Sequence, residues 1–304
     1  MNTILNGILP VLPTPYDSDD KVDSQAMKGV VEFCIKSGAN GLVFPGVASE
    51  YDHLSQAERI ALLSIIAETN RGRLPIICGG GKGTANEIIK NIQAAIPFGI
   101  CAVMILVPNQ FANNVEQARL FMAEICSAVP QVDIVLQNAP QPVGAGLSPE
   151  AVASIVRKIP NIKYIKEEAL PSGARISELL KHAPEHLQGV IGGGGARYLI
   201  DEMKRGAIAA MPAAEITDLH AKIWQLYCDG NESSARDLYM RTLPMLLIQA
   251  IYRMRLTKFV LTARGVLSND IVRAPLPMFD DADKLEINHL LSLLSPYIEN
   301  CDDK

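Results

Sequence analysis

No two of the six cysteines (34, 78, 101, 126, 228 and 301) form a Cys-x-x-Cys pair. Thiols scattered in this way suit a reducing compartment and offer no zinc-finger spacing. The five histidines (53, 182, 186, 220 and 289) show no ligand spacing either. His53 reads as an exposed loop residue, and no metal site is expected. Positive charge is not in excess, since the net charge is -5. That balance gives no electrostatic ground for a nucleic acid or an anionic membrane as partner. The apolar runs are too short or too interrupted to span a bilayer. The N-terminus has no basic stretch followed by a long apolar one, so no signal peptide is read. The expectation is therefore a cytoplasmic chain. Two nucleotide signatures are missing as well. No Gly-x-Gly-x-x-Gly turn follows the first strand. Gly79-Gly-Gly-Lys-Gly-Thr84 lacks the Gly-Lys-Ser/Thr ending of a phosphate loop and reads as a tight turn. Asp17-Ser-Asp-Asp20 lacks the glycine and distal glutamate of a calcium loop and reads as a solvated turn.

What is present is a regular alternation. Hydrophobic residues make up 48% and charged residues 20% of 304, enough for a large core and little disorder. Strands are expected at residues 8–13, 41–44, 74–78, 101–107, 133–137, 161–168, 187–191 and 207–211. Helices are expected between them, beginning near residues 23, 55, 84, 114, 148, 172 and 196, with another from about residue 217. Ser55-Gln-Ala-Glu58 is a capping box, and Ser148-Pro149 caps a helix with proline where its missing N–H costs nothing. Short apolar strands alternating with helices point to parallel pairing in an α/β fold, a (β/α)8 TIM barrel. The chain from Asn231 onward reads as all-helical. The expected domains are a catalytic barrel over residues 1–230 and a C-terminal helical extension over residues 231–304.

The sixth strand, Asn161-Ile-Lys-Tyr-Ile-Lys-Glu-Glu168, ends in three charged residues. Side chains alternate along a strand, so Tyr164, Lys166 and Glu168 share one face and Lys163, Ile165 and Glu167 the other. An arbitrary Lys-x-Glu at a strand end is most often a surface ion pair. In a barrel, however, catalytic groups stand at the C-terminal strand ends. An amine beside a carboxylic acid there is equipment for imine chemistry followed by proton transfer. The run 192–195 reads either as backbone able to approach an anion or as a flexible connection.

Several segments together resemble one family. Gly7-Ile-Leu-Pro-Val-Leu-Pro-Thr-Pro15, Gly46-Val-Ala-Ser-Glu50, Gln137-Asn-Ala-Pro140, Gly146-Leu-Ser-Pro-Glu150 and Lys166 are similar to the dihydrodipicolinate synthase/N-acetylneuraminate lyase family. The resemblance covers nearly the whole chain. It implies a class I, Schiff-base-forming enzyme with a (β/α)8 barrel and a C-terminal helical region. It further implies that Lys166 forms the imine, that Gly46, Val47, Ala48 and Ser49 bind the substrate carboxylate, and that the protein is a homo-oligomer, a tetramer.

The family's Gly-Thr-Thr-Gly-Glu stands here as Gly46-Val-Ala-Ser-Glu50, without either threonine hydroxyl. Its proton-shuttling tyrosine on the fifth strand is replaced by Gln137, whose amide cannot titrate near neutral pH. One branch, the L-2-keto-3-deoxyarabonate dehydratases, resembles this pattern with Gln-Asp-Ala-Pro, Ser-Glu and Lys-x-Glu; the chain departs from it at Asn138. The implied reaction is dehydration of a 2-keto-3-deoxy sugar acid. Lys166 and Glu168 are the catalytic groups, with Gln137 in the tyrosine's place and Gly192 and Gly193 against the substrate. The iminium serves as electron sink, so no cofactor is expected, and a small-molecule 2-keto acid is the expected partner. The alternatives are a retro-aldolase or synthase acting on a C–C bond, and a non-catalytic keto-acid-binding barrel.

Overall fold

The computed structural model describes residues 4–298. The remaining residues of the two expected domains, Cys301 among them, lie outside the described ones. In chain order the main elements are β1 (Gly7–Ile8), α1 (Ser24–Lys36), β2 (Leu42–Val43), α2 (Gln56–Asn70), β3 (Ile76–Gly79), α3 (Ala85–Ala95), β4 (Ala102–Leu106) and α4 (Val115–Ala128). Then come β5 (Asp133–Asn138), α5 (Pro149–Lys158), β6 (Ile162–Glu167), α6 (Ser172–Lys181), β7 (Gly189–Gly192), α7 (Leu199–Lys204), β8 (Ala209–Ala210) and α8 (Thr217–Cys228). The helices α9 (Glu232–Tyr252), α10 (Met254–Ala263) and α11 (Asp281–Leu294) follow. This is the element order of a (β/α)8 barrel with a C-terminal helical region. Among the described residues no helix is long and apolar enough to cross a membrane.

Two compact units are distinguished. One comprises residues 4–6, 75–194 and 198–211. Within it β3 to β8 pair in parallel, each with the next. The apolar β-branched stretches predict this, because a parallel strand is covered on both faces. Val103, Ile105, Ile134, Val135 and Leu136 are fully buried. Thr84 and Ser148 cap α3 and α5 through their side-chain oxygens, with Glu87 completing the box on α3 and Pro149 opening α5. The register sets Gln137 beside Lys166, and Asn138 beside Glu167.

The other unit comprises residues 7–74, 195–197 and 212–298. It holds β1, β2, α1, α2 and α8 to α11. The strand expected over residues 8–13 is reduced to β1 and isolated parallel bridges from Val11 to Val43 and to Ala213. Pro10 and Pro13 carry no N–H, so a continuous ladder cannot form through them. Two other expectations are corrected. α7 opens at Leu199 and not at residue 196, because Gly194, Gly195 and Ala196 all take positive φ and cannot continue a helix. The C-terminal region is not all helix either. Apart from turns, residues 264–280 run without regular structure between α10 and α11.

Candidate active site

The C-terminal ends of β5 and β6 bring three predicted residues into contact. Lys166 is buried, with 5% of its surface exposed. Its Nζ lies 2.9 Å from Glu168 Oε1, and Gln137 Nε2 donates to Glu168 Oε2 at 2.7 Å. The Gly194 N–H donates to the same carboxyl. Burial alone would push the Glu168 carboxyl up. The Lys166 charge, the bonds from Gln137 and Lys166, and the Gly194 amide outweigh it and hold the carboxyl below the ordinary range. Glu168 is therefore ionised at neutral pH, as a base must be. Gly193 stands directly behind it. A Cβ on Gly193 would lie 2.3 Å from Glu168 Cγ, so glycine is required for the close approach.

Asn138 and Glu167 alternate with these residues and face a different set of partners. Asn138 Nδ2 donates to Glu167 Oε2 at 2.9 Å and to the Leu147 carbonyl at 3.0 Å, while its Oδ1 accepts the Leu147 N–H at 2.9 Å. Glu167 Oε1 accepts the Ala169 N–H at 2.8 Å and pairs with Arg175 Nε at 3.2 Å. Arg175 also donates to the Leu147 carbonyl. Asn138 and Glu167 are fully buried, whereas Arg175 is half-buried and its Nε has no hydrogen-bond partner among the described residues. Asn138, the departure from the dehydratase pattern, thus ties residue 147 to β6, and its side-chain bonds go to this network rather than to Lys166.

Glu202 escaped the sequence reading. It lies on α7 with Leu199 and Met203, and its relative exposure is 1%. An acidic residue three positions after one apolar residue of a helical stripe and one before another was the available signal. Ser172 Oγ donates to Glu202 Oε1 at 2.7 Å, and Oε2 has no hydrogen-bond partner among the described residues. A Cβ on Gly192 would meet Oε2 at 2.0 Å, so the carboxyl packs against the Gly192 backbone. Gly192 and Gly193 therefore each back onto a glutamate.

Burial, aided by the charges of Asp201, Glu168 and Glu167 and opposed by the Ser172 bond, pushes the Glu202 carboxyl up to about 7. The unfolded chain ionises at the ordinary 4.5. Between those two values the unfolded state releases a proton that the folded state keeps, so rising pH costs stability. The loss amounts to about 3 kcal/mol above neutrality. Glutamine mimics the protonated acid at every pH. Glu202→Gln should equal the parent in denaturant unfolding near about pH 4.5 and exceed it by up to about 3 kcal/mol near about pH 8. Equal stability at both pH values would show that Glu202 does not titrate as argued.

In the second unit, residues 47–49 form a 3₁₀ turn after Gly46. Ser49 Oγ donates to the Leu12 carbonyl at 2.6 Å and accepts the Gly46 N–H at 2.9 Å; Thr14 Oγ1 donates to the Ser49 carbonyl at 2.7 Å. A Cβ on Gly46 would fall 2.6 Å from Val11 Cγ1. Val47 is exposed, whereas Ser49 and Glu50 are buried. The first two amides of such a turn have no intrahelical acceptor, which is the raw material of an anion site. Glu50 is engaged with Lys258 and with the Arg273 and Ala274 amides. His53 is exposed, and its carbonyl accepts from Arg273.

A buried lysine paired with an ionised carboxylate at the end of the sixth strand of a (β/α)8 chain is the equipment of an imine-forming lyase. The chain belongs to the Dihydrodipicolinate synthetase family, whose model matches residues 4–294. It is 27% identical over 286 residues to the 4-hydroxy-tetrahydrodipicolinate synthase of Bacillus subtilis (strain 168), covering 92% of this chain and 96% of that protein. It is 26% identical over 296 residues to the L-2-keto-3-deoxyarabonate dehydratase of Azospirillum brasilense, covering 96% and 95%. Among solved structures, dihydrodipicolinate synthase from Rhodopseudomonas palustris superposes with a TM-score of 0.87 at 24% identity, covering 95% of this chain and 97% of that one. Ruminococcus gnavus sialic acid aldolase gives 0.87 at 20% identity, covering 96% and 97%. These two structures establish the shared fold.

Proposed function

We propose that the chain dehydrates a 2-keto-3-deoxy sugar acid, such as L-2-keto-3-deoxyarabonate, through an imine on Lys166. The observation that carries this reading is the 2.9 Å contact between Lys166 and Glu168, with an amide rather than a phenol at residue 137 beside it. Glu168 can take the ammonium proton and free the amine. The amine adds to the C2 ketone, Glu168 returns the proton to the carbinolamine hydroxyl, and loss of water leaves an iminium that acidifies C3. Glu168 removes a C3 proton to give the enamine. The enamine expels the C4 hydroxyl, which leaves as water with the proton that Glu168 carries. Hydrolysis of the resulting imine releases the dehydrated keto acid and regenerates Lys166. Gln137 orients Glu168 by its hydrogen bond.

The same reading assigns the substrate carboxylate to Gly46, Val47, Ala48 and Ser49, and places Gly192 and Gly193 against the substrate. It further takes the protein to be a cytoplasmic homotetramer. Exposed Met240, Leu247 and Ile251 on α9 supply apolar surface for subunit contact.

Cleavage or formation of a C–C bond is the second reading, favoured by the synthases among the relatives. It needs a base on the C4 hydroxyl, and Gln137 cannot be one. Product analysis separates the two. A five-carbon 2-keto-3-deoxy acid incubated with the protein should lose water and keep its carbon chain. Release of pyruvate and a two-carbon aldehyde would overturn the dehydratase reading.

A further inference from the structure

Glu50 follows the Gly46–Ser49 turn directly and is held in a conformation that non-glycine residues avoid, with φ 59° and ψ 41°. Such a backbone persists only where its surroundings over-determine it, and residues of this kind cluster at ligand clamps. Here three bonds do so. Glu50 Oε1 accepts from Lys258 Nζ at 2.5 Å, and Oε2 accepts the amides of Arg273 and Ala274, both at 2.7 Å. Glu50 and Lys258 are each 1% exposed. Lys258, on α10, also donates to the Ile271 carbonyl at 2.7 Å. Its Nζ lies 4.1 Å from the centroid of the buried Tyr16 ring, and Arg273 Cζ lies 4.3 Å from the same centroid. Arg273 in turn reaches Glu58 at 2.9 Å and Asp20 at 3.1 Å. A helix and an irregular segment from more than two hundred positions away thus converge on the one residue that fixes how the 46–49 turn leaves.

We propose that Glu50, Lys258 and the 271–274 segment form a latch that positions the 46–49 turn, so that the C-terminal region sets recognition of the substrate carboxylate. Glu50 and Lys258 are positioning residues: the carboxyl and the ammonium are spent on each other and on backbone. The inference rests on the reading of residues 46–49 as the carboxylate segment and of Lys166 as the imine former. It also accounts for a glutamate and a lysine buried together where an apolar pair would be simpler, since the carboxyl must hold two amides as well as its partner.

The test uses the full chain carrying Glu50→Gln and Lys258→Met together. Removing one charge alone leaves the other buried and uncompensated, so a single variant could simply fail to fold. In the double variant the amide oxygen still accepts the 273 and 274 amides, and the methionine keeps the lysine's stem packing. Imine formation is read by cyanoborohydride trapping against increasing pyruvate, and separately against pyruvamide, which has the ketone without the carboxylate. Half-saturating pyruvate should rise about 10-fold to 100-fold, as for other small misplacements of a binding group, while the pyruvamide value stays put. Hydrogen exchange at the 47–50 amides should quicken. A folded double variant that traps pyruvate at the parent concentration would overturn the proposal, and so would an equal loss with both ligands. If the parent traps neither ligand, the imine reading fails and exchange alone judges the latch; unchanged exchange then overturns it.

Discussion

Replacing Glu168 by glutamine is expected to lower turnover of a 2-keto-3-deoxy acid by about 10²–10⁴-fold, the usual worth of a positioned general base. The substitution keeps the shape of the side chain and its ability to bond Gln137 and the Gly194 amide. It removes the charge that Lys166, Gln137 and Gly194 hold in place. Imine formation does not depend on loss of the C3 proton, and solvent can replace Glu168 as acceptor of the ammonium proton, so borohydride trapping of pyruvate should persist in the variant at a reduced rate. The two readouts together separate a lost base from a lost fold. Turnover at the parent rate would mean that the base lies elsewhere. Glu50 is a poor substitute, since its carboxyl is spent on Lys258 and two backbone amides. His53 stands exposed at the end of a 3₁₀ turn over Tyr51–His53.

Glu167 is not the neutral comparison for that experiment that its outward parity suggests. It is fully buried and ties Arg175, Asn138 and the Ala169 amide together. Breaking a buried pair by removing one partner typically costs about 3–5 kcal/mol. A variant there would report on the fold before it reported on chemistry.

Much of this was legible in the sequence, and the reason is periodicity. Strand alternation placed Lys166 and Glu168 on one face, and their contact at 2.9 Å follows from that parity. The box at Ser55-Glu58 closes as its side-chain chemistry dictates. What stayed hidden depended on partners distant in sequence. The Lys258–Glu50 bond joins residues 208 positions apart. Nothing within either segment announces it, because a lysine on a helix ordinarily faces water. The role of Asn138 was equally opaque: only the return of the chain at Leu147 shows what its amide holds. The stretch between α10 and α11 has no helix for a plain reason. Pro275 and Pro277 with Gly265 break the period, and the backbone amides at 273 and 274 are given to Glu50.

Lys166 carries the largest single effect. Lys166→Met should abolish both imine trapping and turnover, because no other group could act as electron sink in the scheme above. The side chain is nearly the same length, but removing one partner of a buried pair costs stability, so the fold of the variant is to be checked alongside its activity. Glu168 would then lack its ion partner, and burial, no longer opposed by the Lys166 charge, should draw its carboxyl upward. A shifted acid limb in the unfolding profile would confirm that the pair had been broken as intended.

The most direct measurement is the position of the label in the unmodified protein. After reduction with borohydride in the presence of pyruvate, fragmentation of the labelled peptide should put the added mass on Lys166. A label on Lys163, which alternation sets on the opposite face, or on Lys258, or no label at all, would contradict the central claim.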